Sequence, residues 1–212
     1  MSLEVWLSFM AAALLLCLTP GPTTIFVMGQ SLHQGNRAVL PLMLGTMSAD
    51  LLVMTLSFIG VGAILAASAE LFTLLKLVGA LYLVYLGIKA WRSPVKPMQL
   101  EMDSPADGTD NGPGWGALFR RAFLITALNP KGILFFMAFF PLFLSPESAA
   151  LPQMLILMAS FELVSVFTVC CYGFGAGYLR SKARSERFQR RFNRLSGSAL
   201  IGAGALTASL QR

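Results

Sequence analysis

The sequence is poor in charge. Only 12% of its 212 residues are Asp, Glu, Lys or Arg, and 56% are hydrophobic, whereas a soluble domain carries about 25% charged residues. A chain of this composition has too little polar surface to cover a fold in water. The shortage of charge therefore excludes an ordinary soluble protein and indicates an all-α integral membrane protein.

Cysteine and histidine are also scarce. Cys17, Cys170 and Cys171 lie in apolar runs and lack the spacing of a disulfide framework or of a C-x-x-C zinc site. His33, the single histidine, lies outside those runs, which argues against a Ser/His hydrolase within the membrane. The sequence also lacks a G-x-x-x-x-G-K-[ST] phosphate loop. We therefore predict neither an enzyme, nor an ATP-driven pump, nor a bound cofactor.

Apolar runs fill most of the chain, and a membrane-spanning helix needs about 20 residues. Six runs predict about six transmembrane helices, at residues 5–31, 39–67, 71–91, 122–144, 151–179 and 195–210. The last run is short for a full crossing. No Lys or Arg precedes the first run, so we interpret it as a helix of the mature protein rather than as a cleaved signal peptide.

A polar segment separates the third run from the fourth. Residues 92–118 are rich in Pro, Gly, Asp and Ser, a composition that cannot bury a core, and they predict a flexible cytoplasmic loop. On this division, residues 1–91 form a first three-helix repeat and residues 119–212 form a second one.

Basic residues indicate the orientation, because Lys and Arg collect on the cytoplasmic side of a membrane. Of the 16 basic residues, 13 flank connections on one side of the predicted bundle. They are Arg37, Lys89, Arg92, Lys96, Arg120, Arg121, Arg180, Lys182, Arg184, Arg187, Arg190, Arg191 and Arg194. This distribution predicts that both termini are periplasmic, and it explains the basic segment 182–194 without a nucleic-acid partner.

Two apolar runs contain residues that interrupt an α-helix near the middle of the membrane. The first run contains Thr19, Pro20, Gly21 and Pro22, and the fourth contains Asn129, Pro130 and Lys131. Each proline removes a backbone donor and clashes with the carbonyl group four residues earlier. Irregular backbone at this depth is tolerated where it is buried in protein or lines a wet cavity. Each motif is therefore either a plain proline kink or part of a binding site.

One carboxylate follows each interruption by one apolar run. Pro130 follows Pro20 by 110 positions, and Glu162 follows Asp50 by 112. This spacing predicts two inverted three-helix repeats, so that helices 1 and 4 of the predicted six are the broken ones. Matched broken helices in two inverted repeats are the arrangement in which many transporters bind their substrates.

The two carboxylates need a partner or a function, because a charge at the centre of a spanning helix costs about 2.5–3.5 kcal/mol on insertion scales. Asp50 shares a helical face with Thr46, and Glu162 shares one with Ser165. Both acids are candidates for proton coupling, and the alternative is an interhelical ion pair or hydrogen bond. Lys131 is a candidate to neutralise one of the acids, to bind a substrate carboxylate, or to reach the cytoplasmic interface.

Five segments form a pattern that covers nearly the whole chain. They are LTPGPTTIFVM, GTMSAD, KLVGALYLVYLGIKAW, LNPKGILFFMAFFPLF and RLSGSALIGAG, in this order. Together they resemble the LysE/RhtB family of amino-acid exporters. The resemblance implies gradient-driven export of amino acids from the bacterial cytoplasm across the inner membrane. The segment FELVSVF and the chain length are most similar to the leucine-exporting branch, which implies leucine or a similar neutral amino acid.

The two interruptions predict the substrate site. We expect them to face one another and to bind the zwitterionic head of the substrate with Thr19, Pro20, Gly21, Pro22, Asn129, Pro130 and Lys131. Helix amino termini suit a carboxylate, and free carbonyl groups together with an acid suit an ammonium group. We expect Phe26, Phe135 and Phe136 to receive the substrate side chain, and Asp50 or Glu162 to exchange the coupling proton.

The predicted partners follow from this site. They are an amino acid, a proton or other coupling ion, and the lipid bilayer, with no resident metal; the sequence leaves a homo-oligomer open. Two other functions stay open as well. One is a cation or metal exporter of related architecture, and the other is a transmembrane thiol-redox carrier that would use Cys17.

Overall fold

The computed structural model describes residues 2–19, 21–92, 113–145 and 148–176, together with residues 190, 194, 195, 197, 198, 201 and 202. Within these residues the fold is all-helical and contains no strand, as predicted. The α-helices are α1 (Leu3–Leu18), α2 (Pro22–Gln34), α3 (Val39–Ala67), α4 (Ala69–Arg92), α5 (Trp115–Ala127), α6 (Pro130–Phe139) and α7 (Ala150–Phe174). The 3₁₀ turns Gly35–Ala38 and Phe140–Phe143 follow α2 and α6.

Local sequence explains several helix ends. The side chain of Ser2 caps α1 by accepting a hydrogen bond of 3.3 Å from the backbone N–H of Val5. Helix α2 ends at Gly35, whose φ of 69° lies in the left-handed region that residues with a Cβ disfavour. Helices α2 and α6 both begin with a proline, which is favoured there because the first N–H of a helix has no intrahelical partner.

Helix length and hydropathy identify candidate membrane-spanning stretches. Among the described residues, Pro22–Ile64 and Ala150–Phe174 are long and apolar enough to cross a membrane. The pair Trp115–Ala127 and Pro130–Phe143, bent by 53°, adds a third when it is counted as one broken span. Leu3–Leu18 and Leu77–Lys89 are shorter apolar helices. An all-helical membrane protein is thus confirmed, whereas six crossing helices in two inverted repeats stay a prediction.

The loop predicted at 92–118 is too wide. Arg92 is the last residue of α4, and Trp115 is the first residue of α5. Residues 115–118 are helical because α5 has an apolar face there, on which Leu118 is buried. The rest of that segment, 93–112, lies outside the described residues, as does most of the last apolar run.

Helix α3 lies at the centre of the fold and contacts α5, α6 and α7. The approach to α5 requires a glycine, since a Cβ on Gly45 would lie 2.4 Å from the carbonyl oxygen of Phe119. Small residues at such crossings let membrane helices pack backbone against backbone. The same holds between α4 and the last apolar run, where a Cβ on Gly87 would lie 2.6 Å from the carbonyl oxygen of Gly197.

A cluster of phenylalanines fills the core between α1, α3, α6 and α7. Its members are Phe9, Phe58, Phe135, Phe136, Phe139, Phe140, Phe143 and Phe161. Phe135 and Phe139 stack with ring centroids 4.2 Å apart. Phe135 is fully buried in this cluster, and Phe26 packs against a second core cluster that contains Val27 and Leu42.

Candidate functional site

The two helix interruptions meet at one cavity. The cavity has a volume of about 90 Å³, which is room for a few water molecules. Thr19 and Gly21 line it from the first interruption, and Asn129 and Lys131 line it from the second. Asp50 lines it from α3. The structure thus brings together residues that lie more than a hundred positions apart in the sequence.

The other predicted residues have different places. Pro22 and Pro130 are the first residues of α2 and α6, where they start the helices that reach the cavity. Pro20 lies outside the described residues. Glu162 is buried but is not among the residues that line the cavity. Of the three phenylalanines predicted to receive the substrate, Phe136 lines the cavity, whereas Phe26 and Phe135 do not.

The carboxyl end of α1 is held by side chains. The last carbonyl groups of a helix lack intrahelical partners. Here the hydroxyl group of Thr19 donates to the carbonyl oxygen of Leu15 at 2.7 Å, and the hydroxyl group of Tyr172 on α7 donates to that of Leu18 at 2.5 Å. Both side chains line the cavity, so the end of α1 is fixed at its wall.

Among the described residues, no side chain caps the amino end of α2. Its N-cap residue, Gly21, has no side chain, and Pro22 has no N–H group. The first N–H groups of a helix point out of its amino end, so those of Thr23 and Thr24 are directed out of α2, and both residues line the cavity. The positive end of the helix dipole therefore faces this space. Such an end is a ready site for an anion.

The second interruption is capped. The side-chain oxygen of Asn129 accepts a hydrogen bond of 3.1 Å from the backbone N–H of Lys131, which satisfies one of the free donors of α6. The backbone N–H of Asn129 donates to the carbonyl oxygen of Thr126 at 3.1 Å. The hydroxyl groups of Thr126 and Thr23 are 3.2 Å apart and link α5 to α2 beside the cavity.

Lys131 connects the two interruptions. Its ammonium nitrogen, Nζ, donates to the carbonyl oxygens of Leu16 at 3.0 Å and Thr19 at 3.1 Å. A cation is favoured at the carboxyl end of a helix because the dipole is negative there. Neither Asp50 nor Glu162 is a hydrogen-bond partner of this ammonium group in the part of the chain that the structure describes. The described contacts of the Lys131 ammonium group are therefore with the end of α1 rather than with either acid.

Asp50 and Glu162 have different surroundings. Asp50 is 7% exposed, and its Oδ2 atom accepts a hydrogen bond of 2.9 Å from the hydroxyl group of Ser165 on α7. Glu162 is 8% exposed, and its two carboxylate oxygens have no hydrogen-bond partner among the described residues. Ser165, which the helical spacing placed beside Glu162, thus binds Asp50 instead. Only Asp50 stands where it can contact a molecule in the cavity.

Several residues of the cavity were not predicted from the sequence. Hydroxyl groups line much of it. Thr46 and Ser165 were expected on the polar helical faces beside the two acids, whereas those not predicted are Thr23, Thr24, Thr126, Thr168 and Tyr172. On α7 the signal was present, because Phe161, Ser165, Thr168 and Tyr172 recur at intervals of three or four residues and so share one helical face. Glu162 lies next to Phe161 in the chain and is therefore rotated away from that face.

The site offers complementary groups to a zwitterion. An open helix amino end suits a carboxylate, and Asp50 suits an ammonium group. The rings of Phe136 and Phe161 form an apolar part of the wall. Within the described residues, no group of three or more His, Cys, Asp or Glu side chains is placed to bind a metal ion.

Comparisons with known proteins agree with this picture of a membrane protein. The family described as LysE type translocator matches residues 14–210. A protein of Vibrio cholerae serotype O1, described as an uncharacterized membrane protein, is 35% identical over 209 residues, which are 99% of this chain and 98% of that protein. Proteins of Salmonella typhimurium and Salmonella typhi, each named homoserine/homoserine lactone efflux protein, are 30% identical over the same shares of both chains. No solved structure matches the chain.

Proposed function

Because the chain belongs to the LysE family of translocators, we propose that it exports neutral amino acids from the bacterial cytoplasm across the inner membrane. One observation carries this proposal. Two helix interruptions, one open helix amino end and one buried carboxylate surround a single cavity. These are the groups that a zwitterionic amino acid needs.

The amino acid is oriented by its charged groups. Its carboxylate accepts hydrogen bonds from the N–H groups of Thr23 and Thr24 at the amino end of α2, and its ammonium group faces Asp50. Its side chain lies against Phe136 and Phe161. The cavity of about 90 Å³ holds a few water molecules, so the substrate replaces that water as the helices around the cavity separate.

We favour leucine or a similar neutral amino acid as the substrate. The phenylalanines of the cavity wall support an aliphatic side chain. Homoserine is the second candidate, because two relatives are named homoserine/homoserine lactone efflux proteins and several threonine hydroxyl groups line the cavity. Both candidates are zwitterions of similar length, and both fit the proposed orientation.

Proton antiport supplies the driving force. Asp50 and Glu162 are buried acids in membrane helices, and such acids commonly belong to proton relays. One positive charge moving inward contributes about 2.3 kcal/mol per 100 mV, which supports an outward gradient of somewhat less than fiftyfold. The position of Asp50 in the cavity wall, with Glu162 outside it, supports a coupling in which the substrate contacts only Asp50.

The two interruptions also support the inverted repeats. In each half a broken helix pair, α1–α2 or α5–α6, precedes the helix that carries the buried acid, α3 or α7. Three crossings per half then leave both termini in the periplasm, and the basic residues Arg92, Arg120 and Arg121 on the cytoplasmic side. Labelling of single cysteines introduced at Ser2 and at Arg120 with a membrane-impermeant reagent tests this orientation. Labelling of position 120 from the periplasm would contradict it.

Counterflow in proteoliposomes tests the proposed function. Vesicles that contain the purified protein and unlabelled leucine should take up labelled leucine, and lysine should exchange poorly because its side chain carries a second charge. Homoserine tested in parallel ranks the two candidate substrates. Exchange of Mn²⁺ without exchange of any amino acid would contradict amino-acid export and indicate the cation exporter instead. A Cys17→Ser variant that keeps leucine exchange would exclude a thiol-redox carrier.

A further inference from the structure

The carboxyl end of α1 binds an ammonium group in this structure. The carbonyl oxygens of Leu16 and Thr19 accept hydrogen bonds of 3.0 and 3.1 Å from the Nζ atom of Lys131. Lys131 reaches them from the start of α6, across the space between the two interruptions. Two carbonyl groups at a negative helix end therefore form a site that an alkylammonium ion fits.

The ammonium group of Lys131 and that of a free amino acid are chemically alike. Each is a compact cation on a carbon stem, with three N–H donors and no acceptor. The residues that supply the carbonyl groups, Leu16 and Thr19, line the same cavity as Asp50 and Lys131. The ammonium group of an amino acid in the cavity can therefore bind the same two carbonyl groups as Lys131 does.

We propose that the carbonyl oxygens of Leu16 and Thr19, in the cavity that Asp50 also lines, form a subsite for the substrate's ammonium group, and that the ammonium group of Lys131 competes with the substrate for this subsite. This subsite rests on the proposed export of amino acids. Binding of the substrate displaces the Nζ atom of Lys131 from α1 and so removes a link between the two interruptions.

Occupation by Lys131 has a measurable consequence. A ligand that binds only the free subsite has an apparent affinity reduced by the fraction of molecules in which the subsite is free. If that fraction is about one in ten, removal of the lysine ammonium group tightens binding of an amine on the order of tenfold. Removal of a lysine that instead binds the substrate carboxylate would weaken binding of a carboxylate.

Two half-substrates separate these possibilities. Isopentylamine carries the ammonium group and the leucine side chain, and 4-methylpentanoate carries the carboxylate and the same side chain. We expect Lys131→Met to bind isopentylamine about tenfold more tightly than the wild type, with binding of 4-methylpentanoate changed less than about twofold, as measured by titration of the purified protein. Lys89→Met is the matched control, because Lys89 lies on α4 above the ring of Tyr85 and outside the cavity.

The result that overturns the subsite is unchanged or weaker binding of isopentylamine by Lys131→Met. A second variant, Lys131→Gln, guards against misfolding because its side chain keeps polar N–H donors at this position without the charge. Lys131→Gln should also bind isopentylamine more tightly than the wild type, by a smaller factor than Lys131→Met does. Unchanged binding of isopentylamine by Lys131→Gln would again contradict the subsite. Leucine counterflow by the wild type tests the proposed function separately, so exchange without tighter amine binding would overturn only the subsite.

Discussion

The two interruptions resemble each other in sequence but differ in what they leave free. At the second one, the side chain of Asn129 caps the amino end of α6, and Lys131 reaches out to the opposite helix. At the first one, Gly21 has no side chain to cap α2, and the carbonyl groups of α1 serve as acceptors. The second interruption supplies donors, and the first offers both an open positive end and a set of carbonyl groups.

This difference suggests separate roles for the two halves of the molecule. A capped helix end has its donor satisfied within the protein, so it binds an outside anion less readily. An uncapped end at a cavity keeps its donors for a ligand. We therefore interpret the first interruption as the place where the substrate binds and the second as the element that responds to it.

The largest effect is expected from the acid that lines the cavity between the two interruptions. Asp50→Asn should lower leucine counterflow on the order of a hundredfold, because loss of a buried charged partner costs about 2–5 kcal/mol. The asparagine keeps the shape and still accepts a hydrogen bond from Ser165. Ser57→Ala is the control, since Ser57 is buried on the same helix but does not line the cavity. Wild-type rates of leucine exchange by Asp50→Asn would contradict a contact between the Asp50 carboxylate and the substrate.

A smaller effect is expected when the first interruption is made to resemble the second. Gly21→Asn gives α2 a side-chain cap, which competes with the substrate carboxylate, and should weaken leucine binding roughly tenfold. Gly21→Ala is the matched control, because a Cβ at this position has no atom within 4 Å and adds no acceptor. Equal binding by the two variants would show that the open end of α2 does not bind the carboxylate.

Removing the cap of the second interruption should affect stability more than leucine binding. Asn129→Ala removes the cap of α6 and should lower the free energy of unfolding by about 1 kcal/mol, measured as a lower melting temperature of the purified protein. Asn129→Asp should restore most of it, since a carboxylate also caps a helix. We expect Asn129→Ala to weaken leucine binding less than Gly21→Asn does. If Asn129→Ala weakened leucine binding more than Gly21→Asn, the second interruption rather than the first would be the place where the substrate binds.

The smallest effect on exchange is expected at Glu162, which lies outside the cavity. Glu162→Gln should leave leucine counterflow within about twofold of the wild type, because exchange without net transport needs no net proton movement. It should abolish leucine accumulation driven by an imposed pH gradient. Measurement of both quantities in the same vesicles checks this, and accumulation that persists in the variant would remove Glu162 from the coupling.

Proline chemistry made the two interruptions predictable, and hydropathy made the membrane class predictable. The resemblance of the segments to the LysE/RhtB family was also sufficient to assign the family, which the comparisons confirm. The contacts of the site were not predictable in this way. That Lys131 binds carbonyl groups of α1, and that Ser165 binds Asp50, depends on which helices pack together and at what distance, and helical spacing within one segment carries no such information.

The position of Glu162 was also not predictable from the sequence alone. Burial of a lone acid in an apolar run suggested a place in the site, yet one residue of helical rotation, about 100°, separates Glu162 from Phe161, which lines the cavity. The spacing along α7 contained this information once the cavity-facing residues were known. Without a second helix as reference, the sequence does not say which face of α7 lines the cavity.

A structure of the protein with leucine bound tests the central assignment most directly. We predict the leucine carboxylate within about 3 Å of the backbone nitrogens of Thr23 and Thr24, and its ammonium group beside Asp50. The Nζ atom of Lys131 should have left the carbonyl groups of Leu16 and Thr19. Leucine bound instead with its carboxylate at Asn129 and Lys131, and with the amino end of α2 empty, would contradict the account.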